Sequence, residues 1–520
     1  MAIDTPFHSL TRRRFLAGLA TLPAAAGLAV NAAPGLAAQA TPEPVAGGTL
    51  RTTLGAEPNT LDPHIGNTLF DRDVADALYD GLIDDDASQG INGALAESWD
   101  SADAINWTFK LRAGATFHDG SPITSEEVKL TIERVQNPAT SATGLIKRTV
   151  DLITAVETPD PATVKIQLSG PAANFPQMIA DVKIVPKNFD PANPIGSGPF
   201  RYAEWVRNRY VRVEKYTGYY QTGMPYLDAV VFMPTPDENQ KIVLLQTGEV
   251  EFTDTVPLPR AQEVEQGGEV LVFTIPKGVS PSSYSMLARC TEPPLDDERV
   301  RRAINFAIDR QALLDAVFGY GTIKSNPVPP EHWAFNPDAL SYNERDVDQA
   351  RTLMSEAGQS SGFSLQLKHI TSRAEYTTLA QILQANLAEI GITIEIVPQE
   401  INVWVEEVLN KHDFQLGLTG IIPAYDPDDI LGRFDLKNAD GAAMGWENAE
   451  YLDLMAQARA IVDQEERKKL YFRVQEILQQ AVPGFILNER PILYGAAKSV
   501  QGFRPDLRQH THFGNVWLQQ

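Results

Sequence analysis

Eight histidines, one cysteine and 67 carboxylates are the raw material for chemistry in this chain. Their spacing builds little of it. No HExxH is present to hold a catalytic zinc, and there is no GxSxG nucleophile elbow, P-loop or GxGxxG turn. His510 and His512 stand two apart, so on a strand both would face one side and could share a metal ion. With no Cys close by in sequence, they read as a surface pair near the C-terminus. Asp84-Asp85-Asp86-Ala87-Ser88-Gln89-Gly90 begins like a calcium loop. It has no Gly at the sixth position and no Glu at the twelfth, so it reads as a solvated acidic turn. Glu126-Glu127 and Glu406-Glu407 read as helix-surface carboxylates. Cys290 cannot form an internal disulfide and reads as a buried thiol. This inventory holds no recognisable catalytic constellation.

The elements that would position a binding site come from a chain of 520 residues, too long for one hydrophobic core. Hydrophobic residues make up 43% and charged residues 21%, a soluble composition. A formal net charge of −23 argues against nucleic acid or an anionic membrane as partner. The N-terminus reads as an address. Thr11-Arg12-Arg13-Arg14-Phe15-Leu16 looks like a twin-arginine export signal. An Ala-rich apolar run to Val30 follows it, with a cleavage site after Ala40. Export by that route implies a periplasmic protein, and the run is too short and Ala-rich for a membrane anchor.

Downstream, the periodicity is clear. Trp107, Phe109 and Leu111 alternate with polar residues as in a half-buried strand. Thr124 with Glu127 forms a capping box that starts a helix through Val128, Ile132 and Val135. Asp296 is placed to cap a helix carrying Val300, Ile304, Ile308 and Val317 and ending near Gly319, with Arg299, Arg301 and Arg302 on a solvated face. Phe363, Leu365 and Leu367 mark a strand. Tyr376 to Ile390 mark an amphipathic helix closed by Gly391, and Ile392, Ile394 and Ile396 a second strand. This is a β-α-β unit. A helix over 402–410 and a strand over 414–418 extend it.

The stretch Trp107 to Glu127, WTFKLRAGATFHDGSPITSEE, closely resembles the signature of the family 5 extracellular solute-binding proteins. Gly196-Ser197-Gly198-Pro199-Phe200 resembles that family's Gly-Thr-Gly-Pro-Phe turn. Pro294-Leu295-Asp296 through Asp309-Arg310 resembles its second-lobe entry. Asp348 to Arg351 with Glu356-Ala357-Gly358, Asp426-Pro427, and Glu476 to Pro483 are similar to further family segments, and all follow in the family's order.

The resemblance implies a two-lobed α/β periplasmic-binding-protein fold, type II-like and of cluster C, with an extra subdomain in the first lobe. After a signal peptide over residues 1–40, lobe I would comprise 45–275 plus 490–520, with 66–188 as the extra subdomain. Lobe II would comprise 276–489. The resemblance further implies a monomeric, non-enzymatic receptor that carries a small solute, a peptide or peptide-like compound, to an ABC permease by hinge closure. No cofactor or metal is implied. Family position suggests Tyr284, Arg373, Trp404, Tyr425 and Trp446 as ligand contacts, with Arg373 pairing a ligand carboxylate through its planar fork. Core packing is the alternative for each aromatic, and a solvated loop charge for Arg373. One departure stands out. Peptide-binding members place an Asp shortly before the Asp-Pro pair to meet the ligand's ammonium, and Gly420 to Tyr425 contain no carboxylate. Either another acid substitutes, or the ligand has no free amino terminus there; Ile421, Ile422 and Pro423 suggest an uncharged moiety. Rival readings are a nickel-type metal-chelate carrier, a secreted hydrolase, and a chaperone-like or sensory partner protein.

Overall fold

The structure, a computed structural model, describes residues 43–519 apart from 67, 87–89, 143, 372 and 422–423. The expected signal peptide, the tip of the Asp84–Gly90 turn, and Ile422 and Pro423 therefore lie outside the described residues.

Two large sheets organise the chain. The first has seven strands in the order Val270–Thr274, Leu493–Ala497, Phe252–Thr253, Thr49–Leu54, Ala229–Pro234, Tyr210–Lys215, Phe200–Val206. Thr49–Leu54 runs parallel to both its neighbours. The second has five strands in the order Ile392–Gln399, Phe363–Ile370, Leu416–Ile421, Ser283–Ala288, Gly484–Glu489. Each sheet packs its own apolar core. Leu50, Val74, Val230 and Phe252 sit in one, and Met286, Ile304, Leu367 and Leu383 in the other. A four-stranded antiparallel sheet builds a third core, running from Leu82 to Ile184 and packed under helix Ser125–Gln136.

The chain passes between the two large sheets twice. Val270–Thr274 pairs antiparallel with Leu493–Ala497 in the first sheet, and Ser283–Ala288 pairs antiparallel with Gly484–Glu489 in the second. The two crossings therefore run side by side, joined by the Arg490 N–H donating to the Ser282 carbonyl at 3.2 Å.

The motifs turn out to be structural devices. Thr124 caps Ser125–Gln136, with Glu127 reaching back to the Thr124 backbone. A Cβ on Gly196 would lie 1.9 Å from the Leu78 carbonyl, so only glycine admits the end of helix Leu69–Leu78 there. His118 holds that turn, accepting from the Gly196 N–H at Nδ1 and bonding the Gly198 carbonyl through Nε2. Burial pulls His118 down to about 4, so it clamps as a neutral ring.

Three expectations are corrected. The helix expected from Asp296 to Gly319 is two helices, Glu298–Ala307 and Arg310–Ala316. Asp297 caps the first. Asp309 caps the second through the Ala312 N–H, and Asp favours that role over continuing a helix. Arg301 is buried, not solvated: it donates to the carbonyls of Ala481, Val482, Leu295 and Asp296. His510 and His512 are not a strand-face surface pair. They lie in irregular chain, stacked 5.8 Å apart, with His510 buried and His512 half-buried. Cys290 is half-buried, and desolvation pushes its thiol up to about 11, which keeps it unreactive.

Candidate ligand-binding cavity

A cavity of about 830 Å³ lies between elements of the two sheets. Elements of the first sheet's lobe supply Asp73, Lys241 and Asp254; elements of the second's supply Tyr284, Arg373 and Glu375. The second crossing adds Arg490 to Leu493, and the C-terminal segment adds Gln509 and Thr511. Its size and mixed lining suit a small organic solute.

The first wall is acidic. Asp73 sits on helix Leu69–Leu78, whose apolar side faces the core, and is 4% exposed. Its Oδ1 accepts from Thr511 Oγ1 at 2.7 Å. Asp254 follows the short strand Phe252–Thr253 and takes Lys241 Nζ at 2.6 Å and Thr53 Oγ1 at 2.9 Å. Burial pushes Asp73 up to about 7; the Thr511 hydrogen bond and His510 pull it down, and Asp254 and Asp76 push it further up. Tyr494 also lines this wall, and its hydroxyl is buried without a hydrogen-bond partner among the described residues. Desolvation raises that phenol well above its usual range, and Asp506, Asp73 and Asp254 add to the effect.

The second wall carries two arginines, two tyrosines and one carboxylate, Glu375, which accepts from the Tyr284 hydroxyl at 3.5 Å. Tyr284 and Tyr376 meet edge to face at 5.6 Å. Burial raises both hydroxyls, while Arg490 and Arg373 pull both back, so the two guanidinium groups act on the same pair of phenols. Arg490 Nε donates to Ser282 Oγ at 3.3 Å. Among the described residues, neither Arg373 nor Arg490 has a carboxylate within ion-pair distance. Gly420 makes room for this arrangement: a Cβ there would lie 2.6 Å from the Tyr376 hydroxyl and 3.3 Å from Arg490 Cδ.

Of the five residues expected to touch ligand, Tyr284 and Arg373 line this cavity. The other three lie elsewhere, each for a packing reason. Trp404 is 3% exposed and lies over a strand glycine, where a Cβ on Gly417 would meet its ring at 3.5 Å. Tyr425 is buried beside Ile275 and Leu507, with its hydroxyl donating to Asp506. Trp446 is half-buried against Tyr451 at 5.3 Å. Residue spacing alone does not single out Asp73, Asp254, Arg490 or Tyr494. Asp73 lies in an amphipathic helix and Arg490 in a crossing segment, neither of which carries a motif.

A second polar cluster sits behind the acidic wall. Ligand atoms of Asp76, His510 and His512 lie within 4.8 Å of one another. Lys183 Nζ and His510 Nδ1 each lie 2.8 Å from Asp76, on opposite oxygens. Asp76 thus meets an ammonium on one oxygen and an imidazole on the other, and the cluster reads as a buried ion-pair network.

The pattern of the bacterial extracellular solute-binding proteins, family 5 (middle), matches residues 90–441. The chain belongs to that family. It is therefore a solute-binding protein of the ABC-importer type, not an enzyme, and its fold is the two-lobed α/β architecture expected. The glutathione-binding protein GsiB of Escherichia coli K12 is 30% identical over 475 residues, covering 86% of this chain and 90% of the relative. AgaA from A. tumefaciens R10, solved with agropinic acid, is 28% identical with a TM-score of 0.72, covering 91% of this chain and 99% of that one. The fold is also that of DppA from Helicobacter pylori, solved with the peptide STSA, at 24% identity and a TM-score of 0.73, covering 92% and 99% of the two chains.

Proposed function

We propose that this receptor captures a peptide-like solute with an anionic end in the cavity between the lobes, and presents it to its permease by closing the lobes around it. The observation that carries the reading is the pair of guanidinium groups, Arg373 and Arg490, on one cavity wall with no carboxylate in ion-pair distance among the described residues. A cation facing a cavity is best satisfied by a ligand anion, and a guanidinium fork suits a carboxylate. A relative named for glutathione and a fold neighbour solved with a peptide support a peptide-like solute.

Lobe I in this reading is 45–275 with 490–520, carrying 66–188 as a subdomain, and lobe II is 276–489. The paired crossings are the hinge, and closure is a shift of population toward the state that buries the ligand. Tyr284 and Arg373 are ligand contacts, joined by Arg490. Kinship with periplasmic binding proteins and the Arg12-Arg13 leader support twin-arginine export to the periplasm. A net charge of −23 supports a receptor that binds no nucleic acid, and we take it to act as a monomer.

The test is native mass spectrometry of the chain from Thr41, purified without refolding, against glutathione and a tripeptide library. Capture of a carboxylate-bearing peptide, weakened when Arg373 and Arg490 are replaced, is the expected result. Capture of neutral sugars, with peptides ignored, would sink the peptide reading.

A further inference from the structure

The wall opposite the two arginines contains a buried carboxyl with only half its acceptor capacity used. Asp73 Oδ1 is engaged by Thr511, and Oδ2 accepts no hydrogen bond among the described residues. A carboxyl that is 4% exposed, with no cation of its own, is costly to ionise. The nearby Lys241 ammonium does not relieve it, because Asp254 holds that group at 2.6 Å. The groups facing Asp73 are Thr511, Asp254 and, from behind, Asp76 and His510; Asp76 is itself held by Lys183 and His510. A second, independent observation lies on the same wall. The Tyr494 phenol, sealed beneath it and without a hydrogen-bond partner among the described residues, is raised by burial and also by the negative charge of Asp73 and Asp254.

We propose that Asp73, with Asp254 behind it, is the seat for a ligand ammonium on the first lobe. The inference rests on the peptide-like reading above and names the part of the solute that the first lobe takes. An ammonium offers three N–H donors, and Asp73 Oδ2 is an acceptor left open among the described residues. It would also supply the positive charge that Asp73 lacks while Asp254 holds Lys241. The acid that Gly420 to Tyr425 lack on the second lobe is supplied from the first. A zwitterionic solute would thus span the cavity, its ammonium on one lobe and its carboxylate on the other, so that only the closed form satisfies both ends.

The test pairs a tripeptide library with its N-acetylated counterpart, offered to wild type, Asp73→Asn and Thr511→Val. The asparagine keeps an oxygen for Thr511 but loses the charge, whereas Thr511→Val keeps the charge and loses the anchor. Wild type should capture free-amine peptides over acetylated ones. Asp73→Asn should bind the best free-amine peptide about 30-fold more weakly or worse, as loss of one partner of a buried charge pair predicts. Thr511→Val should retain the amine preference. Equal capture of acetylated peptides by wild type, or undiminished binding by Asp73→Asn, overturns the ammonium seat and leaves the receptor reading intact. Failure of wild type to capture either library overturns both.

Discussion

At the scale of single residues, Asp73 links the cavity to the stability of the empty protein. An unfolded Asp ionises near 4, and the folded one near 7. Between these values the folded state holds the extra proton, so stability contributed at low pH is lost as pH rises through that window. Asp73→Asn lacks this penalty. Its stability, read as melting temperature, should match wild type near pH 4 and exceed it at pH 8, with a limiting stability difference on the order of 4 kcal/mol. Differential scanning fluorimetry from pH 4 to 8 measures this, and an offset that does not change with pH would show that Asp73 is ionised throughout. Across the cavity, Arg373→Ala and Arg490→Ala should each weaken a carboxylate-bearing peptide by about 1.5–3 kcal/mol, the range for hydrogen bonds to charged groups. Titration calorimetry reads both, and unchanged affinity in the double variant would remove the arginines from the site.

At the scale of elements, what the sequence makes legible and what it hides follow from what each signal measures. A capping box is local, so Thr124 with Glu127 marked the helix start correctly. Alternating apolar residues marked the β-α-β unit over 363–399, observed as Phe363–Ile370, Ala374–Ala388 and Ile392–Gln399 with parallel strands. Periodicity reports that a side chain is buried, but not against what. It therefore leaves Trp404 open to cleft or core, where the structure packs it over Gly417, and puts Arg301 in solvent, where the structure gives it carbonyls at a helix end. The break between the helices at 298–307 and 310–316 turns on one Asp309 side chain inside an otherwise continuous apolar pattern. These contacts differ in weight. Thr124→Ala should cost about 1 kcal/mol, the usual value for an N-cap. Arg301→Ala should cost about 3 kcal/mol or more, since it strips buried carbonyls of charged donors. It also frees Val482, a β-branched residue held at φ 46°. Urea denaturation of the two variants checks the ranking, and an Arg301→Ala protein as stable as Thr124→Ala would contradict it.

At the scale of the whole molecule, a bound solute should draw the lobes together. Small-angle scattering should show a smaller radius of gyration with ligand, and ligand at about a hundred times Kd should stabilise the fold by roughly 2.7 kcal/mol. Stabilisation without contraction would mean that the solute binds one lobe alone. Closure has a built-in restraint away from the crossings. The Ala173 N–H donates to the Arg459 carbonyl at 2.9 Å, and Asn174 Nδ2 lies 3.3 Å from Asp429, so the small four-stranded subdomain already touches the second lobe. The seven-stranded sheet carries a consequence for the order in which the protein is made. Leu493–Ala497 lies between Val270–Thr274 and Phe252–Thr253, although more than two hundred residues separate it from them in sequence. A nascent chain that has emerged only as far as Glu489 holds all the strands of the second sheet and lacks one interior strand of the first. Until residues 493–497 are made, two apolar strands keep unpaired edges, the kind that seed aggregation. The sheet whose first strand is made earliest thus closes after the other has all its strands, and a ribosome that stalls just past Glu489 releases a half-zipped sheet instead of a working half-receptor.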